Sequence, residues 1–351
     1  MTNKDQLKLG ICGHFGFNKN LLNGQTVKTN MLTAVLEQEF GKNAITQIDT
    51  HGGLKRLPVV LLQLLRAFYR CFAVIMLPAH NGVQLFAPFF VIFGTLLHCR
   101  ILYVVIGGWL PEMTLRKKWL AYFLKKFDAI YVETSSMKVA LNAQEFKNVY
   151  VMPNFKDLSV LEEKDLVYTT NEPFAFCTFS RVMKEKGIED AVSAVTRLNT
   201  QAGRTVATLD IYGQIDTDYQ ARFEALQADF PSYIHYKGTV PADQSVAVLK
   251  NYFALLFPTY YSGEGFAGTL LDALAAGIPV IASDWKYNKE IVVQNKTGVI
   301  MQSSLEEEIQ QAVAHADQFN ALKPHCLQEA QNYLPRKVVV PQILAYLEGK
   351  R

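Results

Sequence analysis

The sequence has few of the features that mark a secreted, membrane-spanning or metal-binding protein. Only 5 of its 351 residues are cysteines; they are scattered, and no metal-ligand spacing is present, which argues against a disulfide framework and suits a reducing cytoplasm. The longest uncharged apolar run, residues 85–97, is too short to span a membrane and contains Pro88 and Gly94. The N-terminal residues lack the long apolar core of a signal peptide. We therefore expect a globular cytoplasmic protein.

Length and charge indicate two domains of different character. A chain of 351 residues exceeds the usual limit for one hydrophobic core. The net charge of +3 is unevenly distributed. Residues 1–158 contain 18 Lys and Arg against 9 Asp and Glu, whereas residues 159–351 contain 17 against 23. The basic, apolar-rich first half is thus expected to face an anionic surface.

Short apolar runs alternate with helical patterns along both halves of the chain. This alternation predicts two doubly wound parallel sheets, an α/β architecture. The polar segment 154–173 is the candidate linker. Ligands of such folds bind at the carboxyl ends of the strands. The predicted strands are residues 7–12, 44–49, 73–77, 101–106, 129–132 and 149–152, then 174–179, 207–212, 234–236, 254–257, 280–282 and 298–301.

The segment EGFAGTLLD, residues 264–272, connects a predicted strand to a predicted helix over residues 268–276. Amides at the N-terminus of a helix form a ready site for phosphate. The carboxylates of Glu264 and Asp272 flank that N-terminus and are suited to bind hydroxyl groups. This layout matches a ligand with a hydroxylated ring at each end of a phosphate bridge, such as a sugar nucleotide. The amides at the predicted helix start belong to Phe266, Ala267 and Gly268.

Two cations follow the strand predicted at 174–179. Arg181 and Lys186 are placed to neutralise a diphosphate leaving group, which a divalent ion does in other enzymes. Read alone, an Arg and a Lys five residues apart also fit the solvated start of a helix. No His, Asp or Cys cluster has metal-ligand spacing, so we predict a metal-free site.

The 264–272 segment, followed by ALAAGIPV at 273–280, resembles the E-x7-E signature of retaining family-4 glycosyltransferases of the GT-B fold. Further similar elements are FSR with EKG at 179–187, LDIYG at 209–213, KGTV at 237–240 and VMPN at 151–154. Two positions depart from the family pattern. Asp272 replaces the usual Glu, and the histidine that many members have after the strand at 101–106 is absent.

The resemblance implies a GT-B fold, two Rossmann-like doubly wound parallel-sheet domains facing across a cleft. Residues 1–158 would bind the acceptor, with a C-terminal helix at 335–351 packing back on them, and residues 159–334 would bind the nucleotide sugar. It implies retaining transfer from a nucleoside-diphosphate sugar, UDP-linked by our prediction, without a metal or other cofactor. The catalytic residues implied are Glu264, Arg181 and Lys186, and the donor-binding residues are Gly13, Gly24, Gly213, Gly265, Phe266, Ala267, Gly268, Thr269 and Asp272.

Three side chains after strands of the first half are acceptor-side candidates. His80 or Asn81 is suited to orient an acceptor hydroxyl, or His80 is a turn residue. Trp109 is suited to stack on a sugar ring, or it packs in the core. The loop after the first strand, which includes Gly13 and Gly24, either covers the donor phosphate or simply connects a strand to a helix.

The basic character of the first half concentrates in two apolar stretches, residues 55–70 and 115–127. With helical periodicity, such segments fit the headgroup layer of an anionic membrane, or they are core helices with basic solvent-facing sides. We expect peripheral association with the inner face of a bacterial cell membrane and a lipid-linked saccharide acceptor in polysaccharide biosynthesis. No nucleic-acid reader motif is present.

Two other functions remain compatible with the sequence. A sugar-nucleotide epimerase of the same fold would change the donor without an acceptor. A non-catalytic partner subunit of a glycosyltransferase is suggested by the absent histidine and by Asp272.

Overall fold

The computed structural model describes residues 8–17 and 24–348. The chain divides into two compact units. One contains the described residues up to Asp157 and those from Leu334 onward, and the other is Leu158–Tyr333.

The first unit is built on a six-stranded sheet in the order β2-β1-β3-β4-β5-β6. All neighbouring strands are parallel. The central strands are buried along their whole length because helices cover both faces, and they therefore consist of nearly continuous apolar runs. The strands are β1 Leu9–Gly13, β2 Ile45–Asp49, β3 Ala73–Met76, β4 Arg100–Val104, β5 Ala129–Val132 and β6 Val149–Val151, and the helices are α1 Gly24–Phe40, α2 Leu57–Arg70, α3 His80–Leu96, α4 Leu110–Arg116, α5 Lys118–Leu124 and α6 Ser135–Asn142.

The second unit repeats this plan with the order β12-β11-β10-β7-β8-β9, again with every neighbouring pair parallel. One hydrophobic cluster includes helix α7 and the other includes helix α10. The strands are β7 Phe174–Phe179, β8 Ala207–Tyr212, β9 Ile234–Gly238, β10 Ala254–Phe257, β11 Val280–Ala282 and β12 Gly298–Ile300, and the helices are α7 Ile188–Ala202, α8 Gln220–Ala228, α9 Ser245–Leu249, α10 Gly268–Ala275, α11 Asn288–Ile291, α12 Leu305–Ala314, α13 Ala316–Asn320 and α14 Lys323–Ala330.

The last helix, α15 Pro335–Leu347, belongs to the first unit. Val339 and Ile343 are fully buried in its core, and Arg336 forms an ion pair with Glu39 of α1 at 3.2 Å. Residues 349–351 of the predicted C-terminal helix lie outside the described residues.

The segment proposed as a linker is packed rather than free. Leu158, Val160 and Leu161 contact the α10 cluster, and the amide of Leu161 donates to the carbonyl of Ala275 at 2.9 Å. Because these apolar side chains are interspersed among polar residues, the composition of the segment predicted a linker.

The sequence prediction of one helix over residues 115–127 is wrong. The structure has two short helices, α4 and α5, separated at Lys117, whose φ of −114° and ψ of 80° lie outside the helical region. The apolar side chains of this stretch also differ in burial, since Leu115 and Trp119 are exposed while Leu120 and Leu124 are buried. Among the described residues, no helix has the length and apolar character needed to cross a membrane.

Candidate functional site

The candidate site of the second unit lies where four neighbouring parallel strands end. Strands β11, β10, β7 and β8 are adjacent in that order, so the loops that follow them meet at one edge of the sheet. The two loops after the central strands β10 and β7 contain Glu264 and Lys186. This edge is where doubly wound sheets bind their ligands.

Glu264 and Lys186 form an ion pair at this edge. The Lys186 Nζ atom lies 2.5 Å from Glu264 Oε2, and the side chains are 12% and 7% exposed. The ammonium also lies over the rings of Tyr261 and Phe257, at 5.2 and 5.5 Å from their centroids. A cation above the face of an aromatic ring is attracted by the electrons of the ring. The sequence motif named both residues, and the structure brings them together.

The close approach of the β7 and β10 loops depends on Gly187 and Thr259. Gly187 has φ of 70°, and a Cβ atom there would lie 2.4 Å from the carbonyl oxygen of Pro258. Only glycine fits both constraints. Thr259 is fully buried, and its hydroxyl oxygen lies 2.9 Å from Glu264 Oε2 and 3.2 Å from the Glu185 carbonyl. Thr259 was missed from the sequence because a lone threonine after a strand carries no distinctive signal.

Helix α10 begins beside this pair without a side-chain cap. Ala267 is the N-cap residue, and its methyl side chain makes no cap hydrogen bond. The Thr269 hydroxyl donates to the carbonyl of Phe179 at the end of β7, which ties the first turn of the helix to the neighbouring strand. Ala267, Gly268 and Thr269 are half-buried, whereas Gly265 is buried. A helix start without a side-chain cap is suited to binding phosphate, and that role stays a prediction here.

The Phe266 side chain serves the core. It is buried and packs edge-to-face against Tyr333, with 5.1 Å between ring centroids. That its backbone amide binds a phosphate group stays a prediction.

Arg181 lies at the same edge but does not join the Lys186 pair. Its Nη1 atom is 3.3 Å from Asp216 Oδ2, and its side chain is 59% exposed. Asp216 follows β8 and was not identified from the sequence. Gly213, at the end of β8 with φ of 135°, allows the two loops to meet, because a Cβ atom there would lie 1.7 Å from the Ser180 carbonyl oxygen. Arg181 is therefore adjacent to the site on its solvent side.

Asp272 is buried inside the second unit. It is 2% exposed, and its Oδ1 atom accepts a hydrogen bond from the Ser245 hydroxyl at 2.7 Å. Ser245 begins α9. The predicted contact with a ribose hydroxyl stays a prediction, and the structure gives this carboxylate a partner within the protein.

Gly13 and Gly24, the predicted donor-binding glycines of the first unit, have different surroundings. Gly13 ends β1 against α1, and a Cβ atom there would lie 2.7 Å from Thr29 Cγ2. Gly24 is the first residue of α1, is exposed and has open space around it. The sequence predicted a loop at Gly24, whereas in the structure the helix already begins there. Most of the intervening residues, 18–23, lie outside the described part of the chain.

The structure brings the three acceptor-side candidates together. The rings of His80 and Trp109 meet edge-to-face with 5.4 Å between centroids, and His80 Nδ1 is 3.1 Å from Asn81 Oδ1. His80 and Asn81 are exposed at the start of α3, and the half-buried Trp109 donates its indole N–H to the Ile106 carbonyl at 2.8 Å. His80 is thus a helix residue rather than a turn residue.

A polar network at the neighbouring strands was not recognised from the sequence. His14 Nδ1 lies 2.7 Å from the Thr26 hydroxyl, and His14 Nε2 lies 3.0 Å from His51 Nδ1. Asp49, 4% exposed, accepts the backbone N–H of His51 at 2.9 Å. Burial, followed by the charge of His51, lowers the pKa of His14 below its usual value of 6.5. The only sequence signal was a polar residue after each of two strands.

Within the described residues, no three His, Cys, Asp or Glu side chains are grouped as a metal site would require. The absence of a metal or cofactor from the reaction stays a prediction.

Residues 163–324 match the family model described as Glycosyl transferases group 1. The chain is also similar to the UDP-N-acetylglucosamine–peptide N-acetylglucosaminyltransferase GtfA subunit of Streptococcus gordonii. The two are 29% identical over 226 residues, which are 61% of this chain and 43% of that protein. The chain therefore spans less than half the length of this curated relative.

Two solved structures show the fold to which this chain belongs. HepE of Anabaena, in complex with UDP and glucose, is 12% identical, with 98% of this chain and 100% of that chain covered and a TM-score of 0.74. The pneumococcal O-GlcNAc transferase GtfA, in complex with UDP and GlcNAc, is 21% identical, with 79% and 56% covered and a TM-score of 0.59. Together with the two parallel sheets, these likenesses show a GT-B fold.

Proposed function

We propose that this chain is a glycosyltransferase that moves a sugar from a UDP-linked donor to a saccharide acceptor. The matched family model covers the residues of the candidate site at the carboxyl edge of the second sheet. UDP is present in the solved structures of HepE and GtfA, which share the fold. These likenesses support a nucleotide-sugar donor.

The observation that carries this proposal is the Lys186–Glu264 pair beside the uncapped start of α10. An ammonium group has three N–H donors. Glu264 binds one of them and fixes the orientation of the others. We infer that the donor diphosphate lies between these N–H groups and the α10 amides, where developing negative charge is stabilised most effectively.

In the proposed reaction the bond between the anomeric carbon and the diphosphate oxygen breaks, and its electron pair stays on the diphosphate. Lys186, Arg181 and the α10 amides stabilise that charge. The acceptor oxygen bonds to the anomeric carbon from the same face, and its proton passes to a phosphate oxygen of the departing diphosphate. Glu264 binds hydroxyls of the transferred sugar, and Asp272 binds the ribose. Family resemblance is the basis of the same-face, retaining course.

A lipid-linked acceptor is supported by the exposed surface of two helices in the first unit. On α2, Leu62 and Tyr69 are 50% and 81% exposed and lie among exposed arginines. On α5, Trp119 and Tyr122 are 47% and 60% exposed, beside the exposed Lys118. Apolar and aromatic side chains among cations fit an anionic membrane surface. We propose peripheral membrane binding through this surface, with polysaccharide assembly as the setting.

A peptide acceptor is the second candidate, and sequence similarity favours it. The Streptococcus gordonii relative is named as a peptide N-acetylglucosaminyltransferase subunit. The similarity covers 61% of this chain but only 43% of that protein. A peptide acceptor is therefore a proposal for this chain.

Incubation with radiolabelled UDP-glucose or UDP-N-acetylglucosamine distinguishes these functions. One set of reactions contains bacterial lipid extract, and the other contains a serine- and threonine-rich peptide. We expect label in the lipid phase. Label on the peptide would favour the second acceptor, an altered sugar without acceptor would indicate an epimerase, and no change would indicate a partner subunit. NMR of the product shows whether the anomeric configuration is retained.

Sedimentation with vesicles tests the membrane surface separately. We expect the protein to bind vesicles rich in phosphatidylglycerol but not neutral phosphatidylcholine vesicles. The double variant Trp119→Ser, Tyr122→Ser should bind more weakly. Val139→Ser is the matched control, because Val139 is 67% exposed on α6 of the same unit. An equal loss of vesicle binding in the control variant would contradict the proposed role of α5.

A further inference from the structure

The loop after β1 is organised by one buried carboxylate. Asp49, at the end of β2, accepts the backbone N–H groups of Phe15 at 2.9 Å, Gly16 at 3.4 Å and Phe17 at 3.3 Å. It also accepts the N–H of His51 at 2.9 Å. These bonds, after the opposing effect of burial, lower the pKa of Asp49. The carboxylate therefore stays ionised and holds the backbones of Phe17 and His51, one on each of its oxygens.

His14 connects this loop to α1. One of its ring nitrogens contacts the Thr26 hydroxyl, at 2.7 Å, and the other contacts His51 Nδ1, at 3.0 Å. A neutral imidazole donates through one nitrogen and accepts through the other. When both rings are protonated, the facing nitrogens each carry a hydrogen, and the contact between them is lost. The pair is therefore stable only when at least one ring is neutral.

The charges acting on the pair keep His14 neutral. Burial lowers its pKa most, the charge of His51 lowers it further, and Asp49 opposes both with a smaller effect. With His14 neutral, its contacts on both nitrogens hold the His51 ring by Nδ1. The Nε2 atom of His51 has no hydrogen-bond partner within the described residues, and the ring is half-buried.

An exposed aromatic ring belongs to the same loop, because the backbone N–H groups of Phe17 and His51 bind the two oxygens of one carboxylate. The Phe17 side chain is 49% exposed, and its ring stacks on the buried Phe15 with 5.2 Å between centroids and 18° between planes. The stacking orients the Phe17 ring, and about half of the side chain is exposed. Binding sites often combine a fixed apolar ring with a nearby hydrogen-bonding group. This combination suits a small polar ligand that has one apolar face. Pyranose rings have such a face.

We propose that Phe17 and His51 form a saccharide subsite, in which Phe17 stacks on a sugar ring and His51 Nε2 hydrogen-bonds a hydroxyl. His14 acts as a positioning residue through His51. This inference rests on the proposed glycosyltransferase function and specifies part of its acceptor site. The strand order β2-β1-β3-β4 continues this edge toward His80 and Trp109, so a saccharide longer than one residue has further contacts along the same edge.

Saccharide titrations followed by NMR test the subsite in the full chain. The probes are N-acetylglucosamine and maltose, and the signals are the imidazole of His51 and the ring of Phe17. We expect the chemical shifts of both signals to change when at least one of the two probes is added. Phe17→Ala and His51→Ala should each weaken binding about tenfold, the effect of one lost stacking or hydrogen-bonding contact. No shift with either probe would overturn the proposal.

A conservative variant separates binding from a structural role. The amide of His51→Gln keeps a hydrogen-bonding group near the Nε2 position but does not titrate. We expect it to bind the probe with an affinity close to that of the wild type and without dependence on pH. In the wild type we expect weaker binding in acid, where protonation breaks the His14–His51 contact. Binding that changes equally with pH in both proteins would contradict the role of His51.

Two controls distinguish this inference from the proposed function. His98→Asn changes an exposed histidine of the same unit, at a φ of 51° that asparagine tolerates, and it should leave saccharide binding unchanged. Binding of uridine diphosphate, measured by calorimetry, should be the same in every variant. Failure of the wild type to bind uridine diphosphate would contradict the proposed function. Normal uridine diphosphate binding with unaltered saccharide binding in His51→Ala would contradict only the subsite.

Discussion

Among the described residues, each unit has one buried lysine–glutamate pair, and the two pairs differ in what surrounds them. Lys28 and Glu133 of the first unit are 2.5 Å apart, with side chains 5% and 4% exposed. Lys186 and Glu264 of the second unit have the same separation, with side chains 12% and 7% exposed. The Lys28 ammonium also donates to the Val105 carbonyl at 3.2 Å. The Lys28 ammonium lies over one aromatic ring, that of Phe155, whereas the Lys186 ammonium lies over two, near the uncapped start of α10.

The comparison shows that an ion pair does not define its own role. The Lys28 pair is enclosed, and its backbone contact ties α1 to the end of β4, so we assign it to stability. The Lys186 pair borders an anion-binding geometry, so we assign it to the reaction. The described residues also contain Lys323, whose fully buried ammonium donates to the Tyr252 carbonyl at 3.2 Å. Four predictions use these contrasts.

The largest expected effect follows from removing one partner of the enclosed pair. Glu133→Ala leaves the Lys28 charge buried without its carboxylate, which should lower the free energy of unfolding of the first unit by about 3–5 kcal/mol. Hydrogen exchange at amides of β5 and α1 measures this unit separately. The double variant Lys28→Met, Glu133→Leu should recover most of the loss. A double variant as unstable as the single one would refute the assignment.

The second effect should appear in turnover rather than stability. Lys186→Ala and Glu264→Ala should each reduce turnover by about 10²–10³-fold, as loss of a transition-state donor does, while circular dichroism shows the fold intact. The control is Lys164→Ala, because Lys164 forms an exposed pair with Glu162, with side chains 72% and 69% exposed. Wild-type rates in both site variants would show that the pair has no part in the reaction.

The third effect concerns pH. Burial lowers the pKa of Lys323 from 10.5 to about 8. Between those values the unfolded chain binds a proton that the folded chain does not, so stability should rise with pH across this interval. The difference corresponds to about 3 kcal/mol, and Lys323→Met should raise stability at neutral pH by up to that amount. Urea unfolding at a series of pH values measures both, and a flat profile for the wild type would contradict this prediction.

The smallest effect is expected at Arg181. Because its side chain is 59% exposed and paired with Asp216, solvent screens its charge. Arg181→Ala should reduce turnover by about tenfold, and the difference from the wild type should shrink at high salt. Steady-state rates at low and high salt measure this. A loss as large as that of Lys186→Ala would place Arg181 in direct contact with the diphosphate.

Much of the fold was predictable from local patterns. Each of the twelve predicted strands is present in the structure, with ends shifted by at most two residues, because buried parallel strands are short apolar runs bounded by turn residues. The segment 264–272 also lies at a sheet edge, as predicted from the strand that precedes it. The helix over 115–127 was wrong because apolar periodicity continues through Lys117 although the backbone does not.

The partners of the site residues were not predictable. The hydroxyls of Thr259 and Ser245 contact Glu264 and Asp272, and Ser245 precedes its partner by 27 residues. The histidine pair joins positions 37 residues apart, and the Asp49 carboxylate binds the backbone of one of them, His51. No local periodicity encodes such contacts.

The sequence by itself determined where strands end and which charged residues follow them, because apolar runs, glycines and prolines act over a few residues. Only the tertiary structure decided which charges meet. Lys186 and Glu264 are 78 residues apart along the chain, and Lys28 and Glu133 are 105 apart. The first pairing depends on strand order, which places β10 beside β7. The second depends on α1, from which Lys28 contacts Val105 after β4 and Glu133 after β5. Coulomb interactions depend on distance and burial in space, and neither is fixed until the sheets have formed.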